Sequence, residues 1–450
     1  MMSHVSEVTP GGSASLPRRN LDLAVLDALR GLAALYVMLG HVSGLLWAGM
    51  DESVGSGDRG PALVLAYVAH HLLRWPHEAV LLFFLLSGFC IHYRQAKTLA
   101  SPPGPDRARP RSLGALLDVR SYAQRRFRRL YPPLLLALVL TFVFDSLGGQ
   151  LNPAFYQSLT LSPSSTAPLP DHSLGTFVGN LLMQPSFAVQ PFGSNGPLWS
   201  LAFEAGFYLL YPVLLLASGR MGAWGMMIAT TFISFVALIL IPSSTPAPGE
   251  SLAAYQASGT PVWIPVLLMY WIVWAMGALV AEAHAGRIRA RGLQWLAPLS
   301  LVGLVVLIIL LGQFTARPGW WRFYDLAWGT GLAVLLATLL LRMPPRLGVS
   351  IERCARLLAP LGAISYSLYV VHLPWLVLVS AWWLSWHSTL PVGGELGVAG
   401  VLSAIVLAAF CWYFVERHCV TPRKERRTPV PLRQPLTASP MGILVGERRA

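Results

Sequence analysis

Charged residues are scarce in this chain of 450 residues. Asp, Glu, Lys and Arg together make up 12% of it, whereas a soluble globular protein contains about 25%. Hydrophobic residues supply 54% of the chain. This balance excludes a soluble enzyme, a disordered protein and a fibrous protein. It predicts a chain that is surrounded mainly by lipid.

Cysteine is also rare. Four cysteines do not form a disulfide framework. No Cys/His spacing in the sequence is typical of a zinc site. We therefore expect no structural metal and no tightly bound cofactor.

The apolar residues are gathered into long runs. Runs of about 20 residues are typical of transmembrane helices, and we identify ten, near residues 22–48, 77–94, 130–149, 196–218, 222–242, 261–283, 293–312, 323–341, 361–384 and 395–417. Two shorter apolar segments, 61–75 and 174–189, are interpreted as interfacial or re-entrant. The expected fold is an all-α polytopic membrane protein with about ten transmembrane helices.

The positive charge follows the loops between these runs. The formal net charge is +13. Lys and Arg residues lie in the N-terminus, the even-numbered loops and the C-terminus, with the exceptions of Arg30, Arg59, Arg74, Arg317 and Arg322. The positive-inside rule therefore places both termini in the cytosol. We expect a cytosolic tail over residues 1–20, a transmembrane domain over 21–420 and a cytosolic, disordered tail over 421–450. Because topology explains the charge, we expect no nucleic-acid partner.

The first run carries ionisable residues that share one helical face. Arg30 and His41 are 11 positions apart, which corresponds to three helical turns plus about 20°. Asp27 precedes Arg30 by three positions and is expected to pair with it. Polar side chains inside lipid are costly and are functional candidates by default. Three interpretations stay open: a His41 that bonds two packed helices, a structural Asp27–Arg30 pair, or a general base with an anion anchor.

Two later runs carry similar polar stripes. Ser200, Glu204 and Tyr208 recur at helical spacing in the fourth run, and Tyr369 and His372 do so with Ser365 in the ninth. Ser87 and Gly88 in the second run are expected to let another helix approach closely. The stripes predict a polar pocket inside the bundle, either an active site or a transport path. The alternative for Glu204 is a hydrogen bond that only holds two helices together.

The segment 97–129 is strongly basic. It begins with a Pro-rich part and becomes helix-like before the third run, where Arg125, Arg126, Arg128 and Arg129 cluster. One interpretation is a polybasic segment that lies on anionic lipid headgroups. The other is a binding site for a phosphorylated ligand that arrives from the cytosol.

Several motifs, taken in order, resemble the acyltransferase 3 family of membrane O-acyltransferases. They read LDALRGLAALYVMLGHV, FFLLSGF, RRFRRLYP, PLWSLAFEAGFYLLYP, ISYSLYVVHLP and YFVERH, and they extend from residue 22 to about residue 420. The first contains the family's Arg-x10-His pattern at Arg30 and His41. One position departs from the family pattern, because Ala205 follows Glu204 where many members carry a second acidic residue.

The resemblance implies an enzyme that moves an acyl group, expected to be acetyl, from acyl-CoA to a hydroxyl. The expected acceptor is a cell-envelope glycan, a lipid-linked sugar or a similar molecule, and the expected location is the bacterial cytoplasmic membrane. His41, Arg30 and Glu204 are the catalytic candidates, with His41 as general base or as the site of a covalent acyl intermediate.

The remaining candidates divide by ligand. The acceptor-binding candidates are Asp27, Ser200, Tyr208, Tyr369 and His372. The candidates for binding the acyl-CoA phosphates are Arg125, Arg126, Arg128 and Arg129. Membrane lipids are the other expected partner. The alternative function is a transporter or flippase for an envelope lipid or small molecule, because inward-facing ionisable residues also mark transport paths.

Overall fold

The computed structural model describes most of the chain, namely residues 18–47, 68, 71–101, 112–159, 170–185, 187–245, 247–248, 263–288, 293–314, 317–342, 345–391 and 393–420. Within these residues the chain forms helices and no strand. The tail predicted over 421–450, nearly all of the tail predicted over 1–20 and most of segment 61–75 lie outside the described residues.

The described residues form fourteen α-helices, α1 to α14 in chain order. They are α1 (Arg18–Leu45), α2 (Pro76–Ala100), α3 (Leu113–Leu116), α4 (Val119–Leu151), α5 (Pro153–Gln157), α6 (Leu174–Leu181), α7 (Trp199–Leu240), α8 (Trp263–His284), α9 (Leu293–Gly312), α10 (Trp321–Arg342), α11 (Pro345–Ala363), α12 (Ser365–Leu384), α13 (Glu395–Cys411) and α14 (Arg417–Val420). A 3-10 turn, Gly196–Leu198, precedes α7, and a π-helical turn, Trp412–Glu416, joins α13 to α14.

Eight helical stretches in the described residues are long and apolar enough to cross a membrane. They correspond to all or most of α1, α2, α4, α7, α8, α10, α12 and α13. The predicted all-helical fold with several membrane spans is therefore confirmed. The predicted seventh run forms α9, of which Ser300–Gly312 is apolar but shorter. Segment 174–189 contains the eight-residue α6, which is too short to cross a bilayer. The ten-helix count and the cytosolic termini stay predictions.

Helix α7 reverses its direction at Gly222, between the predicted fourth and fifth runs. Gly222 has φ 76° and ψ 176°, a conformation that glycine adopts far more easily than other residues. Before this point, Phe203 packs against Tyr270 in the first half of α8, with ring centres 5.6 Å apart, and Ser218 contacts Glu282 near the end of α8. After it, Ser234 donates a hydrogen bond of 2.7 Å to the carbonyl of Leu268, near the start of α8. The two halves of α7 therefore run in opposite directions along α8, as two separate spans would.

The basic segment continues directly into the third predicted run. Helix α4 begins at Val119 and has 33 residues, whereas the apolar run begins near residue 130. The Asp118 carboxylate accepts a hydrogen bond of 3.1 Å from the backbone N–H of Ser121, which caps the start of the helix. The clustered arginines of this segment therefore stand on a regular helix.

Close helix packing holds the centre of the bundle. A Cβ atom on Gly88 of α2 would lie 2.0 Å from the carbonyl oxygen of Trp274 on α8. A Cβ atom on Gly277 of α8 would lie 2.0 Å from the carbonyl oxygen of Leu85 on α2. The two backbones therefore touch through glycine, as in other membrane helix pairs with small residues at the interface. The predicted close approach at Gly88 is confirmed.

The bundle has two chemically different ends. We define the basic end as the one that carries Arg94, Arg125 and Arg287. The end of α2 and the end of α8 meet there, because His92 Nε2 lies 2.7 Å from Glu282 Oε1. We define the far end as the opposite one, where α1 ends and where α2 and α7 begin, marked by His41, His77 and Trp199.

Candidate active site

The polar stripes of α7 and α12 meet inside the bundle. The hydroxyls of Ser200 and Tyr369 lie 2.7 Å apart, and both side chains are buried. Tyr369 also donates a hydrogen bond of 3.1 Å to the carbonyl of Pro197, in the turn that precedes α7. The helical spacing that placed these residues on inner faces therefore predicted their position correctly.

A pair of histidines lies next to this contact. The ring centres of His41 on α1 and His372 on α12 are 5.3 Å apart, and the ring planes are tilted by 33°. His372 is completely buried, while His41 is partly exposed. The two helices thus bring together a predicted catalytic residue and a predicted substrate-binding residue.

Backbone contacts fix the protonation pattern of His372. Its Nδ1 lies 3.0 Å from the carbonyl oxygen of Leu368 and 2.9 Å from that of Tyr369. Carbonyl oxygens only accept hydrogen bonds, so Nδ1 carries the proton. In the neutral ring, Nε2 is then an acceptor. Nε2 is buried and has no hydrogen-bond partner among the described residues.

Glu204 occupies the middle of the α7 stripe and is partly exposed. Tyr208, one turn further along, donates a hydrogen bond to Glu204 Oε1, and Ser87 of α2 donates another of 3.4 Å to the same oxygen. Glu204 therefore has hydrogen-bond donors on two helices. These contacts satisfy the requirement that a carboxylate inside the bundle finds polar partners.

Arg30 lies on the same face of α1 as His41, about 16 Å nearer the basic end by helical rise. Its Nη1 lies 3.4 Å from Asp27 Oδ1, so the predicted pair is confirmed. The guanidinium is also within range of a Coulomb interaction with Glu204. Arg30 and Glu204 are therefore close enough to influence each other electrostatically.

The four clustered arginines of α4 face two directions. Arg126 and Arg129 are partly buried, while Arg125 and Arg128 are exposed. The guanidinium carbon of Arg126 lies 5.4 Å from the ring centre of Tyr208, and that of Arg129 lies 5.9 Å from the ring centre of Tyr366. The inner pair therefore reaches the polar stripe of α7 through Arg126 and the first turn of α12 through Arg129.

The segments before and after α6 cover the far end of α4, and the segment after α6 also contacts α12. The buried Asp145 of α4 accepts hydrogen bonds from Ser194 N at 2.8 Å and from His172 Nε2 at 2.7 Å. Asn195 donates one of 2.9 Å to the carbonyl of Val370 on α12. Outside the spans, Asp171 in the segment before α6 accepts hydrogen bonds from Thr176 and Ser173, which lower its pKa. The segment after α6 is thus anchored beside the helix that carries Tyr369 and His372.

All of these side chains lie within the part of the chain that matches a known protein family. The sequence model of a protein family with the description "Acyltransferase domain" matches residues 23–417, a range that contains every side chain of the site. The chain belongs to this acyltransferase 3 family. Comparisons with curated proteins and with solved structures give no match. The family and the apolar helices together make the chain a multi-pass membrane acyltransferase.

The acyltransferase has a further acidic residue at the site that the sequence predictions missed. Glu416 is buried and accepts hydrogen bonds from Ser367 N at 3.1 Å and Ser367 Oγ at 2.7 Å. It belongs to the π-helical turn, a feature that often occurs at functional sites. Glu416 is also within Coulomb range of Arg129 and Arg30. An ionisable residue inside the last apolar run was the signal that pointed to it.

Two other polar networks of the acyltransferase were also missed. At the far end, Asp325 on α10 accepts hydrogen bonds from Tyr270 and from His77, whose Nε2 lies 3.0 Å away. At the basic end, Arg287 binds both oxygens of the buried Glu282, at 2.6 and 2.7 Å. Both carboxylates fall at or next to predicted apolar runs, so the cost of a charge in lipid identifies them as well.

Proposed function

We propose that this membrane acyltransferase transfers an acyl group, expected to be acetyl, from acyl-CoA to a hydroxyl of a cell-envelope glycan, a lipid-linked sugar or a similar acceptor. The membrane would be the bacterial cytoplasmic membrane, with the basic end facing the cytosol. The observation that carries the proposal is the continuity of polar side chains from the inner arginines at the basic end to the histidine pair beyond the middle of the bundle.

The basic end supports a site for the CoA phosphates. Arg126 and Arg129 turn inward beside Tyr208 and Tyr366. The Nε atom of Arg126 is buried and has no hydrogen-bond partner among the described residues. Guanidinium groups bind phosphates with two parallel hydrogen bonds. In this proposal the inner pair binds the donor, Asp27 orients Arg30, and the exposed Arg125 and Arg128 contact lipid headgroups and set the topology.

The histidine pair supports the transfer step. His41 removes the proton from the acceptor hydroxyl, and the resulting oxygen attacks the thioester carbonyl of the donor. The C–S bond then breaks, and the CoA sulfur leaves with the proton that His41 returns. Acceptor ester and free CoA are the products, so atoms and charge balance.

Neighbouring hydroxyls support acceptor binding near His41. Ser200 and Tyr369 share a hydrogen bond and belong to the helices that border the pair. Glu204 with Tyr208 lies on the same α7 stripe, one to two turns toward the basic end. These groups offer donors and acceptors that match the hydroxyls of a sugar. Family membership favours this enzyme over a transporter or flippase, which would use the same polar row as a path.

The test is a transfer assay with the full chain in liposomes. Labelled acetyl-CoA is supplied on the basic side, and envelope glycans from the source membrane serve as acceptors. The proposal predicts acceptor-dependent release of free CoA and a mass increase of one acetyl group on the glycan. Release without an acetylated product, or movement of the glycan across the membrane without CoA release, would contradict it.

A further inference from the structure

Helix packing alone does not explain the hydrogen bonds of His372. Its Nδ1 is held by the carbonyls of Leu368 and Tyr369 at 3.0 and 2.9 Å. These bonds lie within its own helix, so they join no two helices together. The other ring nitrogen, Nε2, is buried and has no partner among the described residues. A buried acceptor without a donor costs free energy, so this arrangement calls for a partner that arrives at Nε2.

His41 is the side chain in position to supply that partner. The ring centres are 5.3 Å apart, and a nitrogen–nitrogen hydrogen bond needs about 3 Å between the two ring nitrogens. Ring centres at this separation leave room for such a bond after a small rotation of His41. A neutral imidazole has one N–H donor and one acceptor. An N–H of His41 that binds His372 leaves the other His41 nitrogen unprotonated.

We propose that His372 is a positioning residue for His41. His372 Nε2 accepts the N–H of His41 and thereby fixes both the ring orientation and the tautomer in which the free nitrogen of His41 faces the acceptor hydroxyl. This inference rests on the proposed role of His41 as general base. The proton moves from the hydroxyl to His41 and then to the departing CoA sulfur, while His372 keeps its own proton on Nδ1 throughout.

A neutral orienting group suits the location. In serine hydrolases an aspartate holds the tautomer of the catalytic histidine, but an isolated carboxylate inside a membrane bundle is costly. His372 supplies the same acceptor function without a charge. The two backbone carbonyls prevent it from presenting Nε2–H instead, which would leave His41 without an acceptor.

Two substitutions at His372 separate positioning from packing. His372→Asn retains an N–H donor near the position of Nδ1, so the bonds to the backbone persist, but it removes the acceptor at Nε2. His372→Gln places an amide oxygen near the position of Nε2. We expect His372→Asn to lower kcat by about 100-fold, the effect of a misplaced catalytic group, with an unchanged KM for acyl-CoA. His372→Gln should recover part of kcat, and both variants should keep the thermal stability of the parent.

Nitrogen NMR of histidine-labelled protein gives a second measurement that does not depend on activity. We expect one tautomer for His41 and protonation at Nδ1 for His372 in the unmodified chain, and a mixture of His41 tautomers in His372→Asn. A mixed His41 tautomer in the unmodified chain would overturn the proposal. So would a normal kcat in His372→Asn, or equal losses in both variants together with lower thermal stability. If the unmodified chain transfers no acyl group to any acceptor, the proposed function fails instead. If His41→Ala keeps full activity, acyl transfer stands, but the role of His41 and this proposal both fail.

Discussion

The guanidinium carbon of Arg126 lies 5.4 Å from the ring centre of Tyr208, so the inner face of α4 contacts the polar stripe of α7. This contact divides the clustered arginines into an inner pair and an outer pair. Replacing Arg126 and Arg129 together with Gln should raise the KM for acyl-CoA by about 10-fold or more, because each lost charged hydrogen bond is worth about 1.5–3 kcal/mol.

The outer pair provides the matched control. Replacing Arg125 and Arg128 with Gln removes the same charge from the same helix but should leave the KM for acyl-CoA nearly unchanged. Equal increases of the KM in both double variants would show that the arginines act only through the general surface charge.

Donor binding, measured by calorimetry in detergent, should also weaken with salt in the parent protein, since the Debye length falls from about 10 Å at 0.1 M to about 3 Å at 1 M.

Arg30 offers a test of geometry against charge. Arg30→Lys retains the positive charge, but an ammonium group lacks the planar fork that binds phosphate or carboxylate through two bonds. If Arg30 contacts the donor, this variant should raise the KM for acyl-CoA while the yield of folded protein stays the same. A lower yield with unaltered kinetics would instead indicate that the Asp27–Arg30 pair has a structural role.

Glu204 is predicted to bind the acceptor through its charge. Glu204→Gln keeps the shape of the side chain and an oxygen for the hydrogen bonds from Tyr208 and Ser87. It removes the charge near Arg30 and weakens each bond. We expect kcat/KM for the acceptor to fall by about 10-fold, in line with the loss of a charge-assisted bond, and donor binding to be retained. Steady-state kinetics with the acceptor concentration varied will measure this change. An unchanged kcat/KM would show that Glu204 only helps to hold the helices together.

Helix packing at Gly88 should be sensitive to a single methyl group. Gly88→Ala places a Cβ atom about where the backbone of Trp274 now lies, and overpacking of this kind costs about 1–3 kcal/mol. Thermal unfolding in detergent should therefore occur at a lower temperature. Gly44→Ala on α1 is the control, because nothing lies within 4 Å of its added Cβ. Equal unfolding temperatures for the two variants would show that α2 and α8 do not pack this closely.

Features that depend on the helical repeat could be predicted from the sequence. Apolar runs of membrane-spanning length predicted the helices, and the spacing of Ser200 with Glu204 and Tyr208 predicted a common face, because rotation per residue in a helix is fixed. The pairing of Asp27 with Arg30 followed from the same geometry. The family motifs then indicated the acyltransferase activity.

Contacts between distant parts of the chain could be identified only from the structure. Nothing in the period of α1 or α12 places His41 beside His372, because the angle and offset between two helices depend on the packing of all their neighbours. The division of the arginines into inner and outer pairs also depends on how α4 sits against α7. Glu416 is different, since its position in the last apolar run made it a candidate by the same criterion that selected Glu204.

The most direct test of the central claim is acyl transfer by His41→Ala, measured with labelled acetyl-CoA and an envelope glycan acceptor in liposomes. Donor binding by calorimetry and thermal unfolding are measured on the same preparation. The account predicts normal unfolding, normal donor binding and a transfer rate lowered by about 100-fold to 10,000-fold, the usual effect of losing a general base. A variant that folds, binds acetyl-CoA and still transfers acetyl at more than about 10% of the parent rate would contradict it.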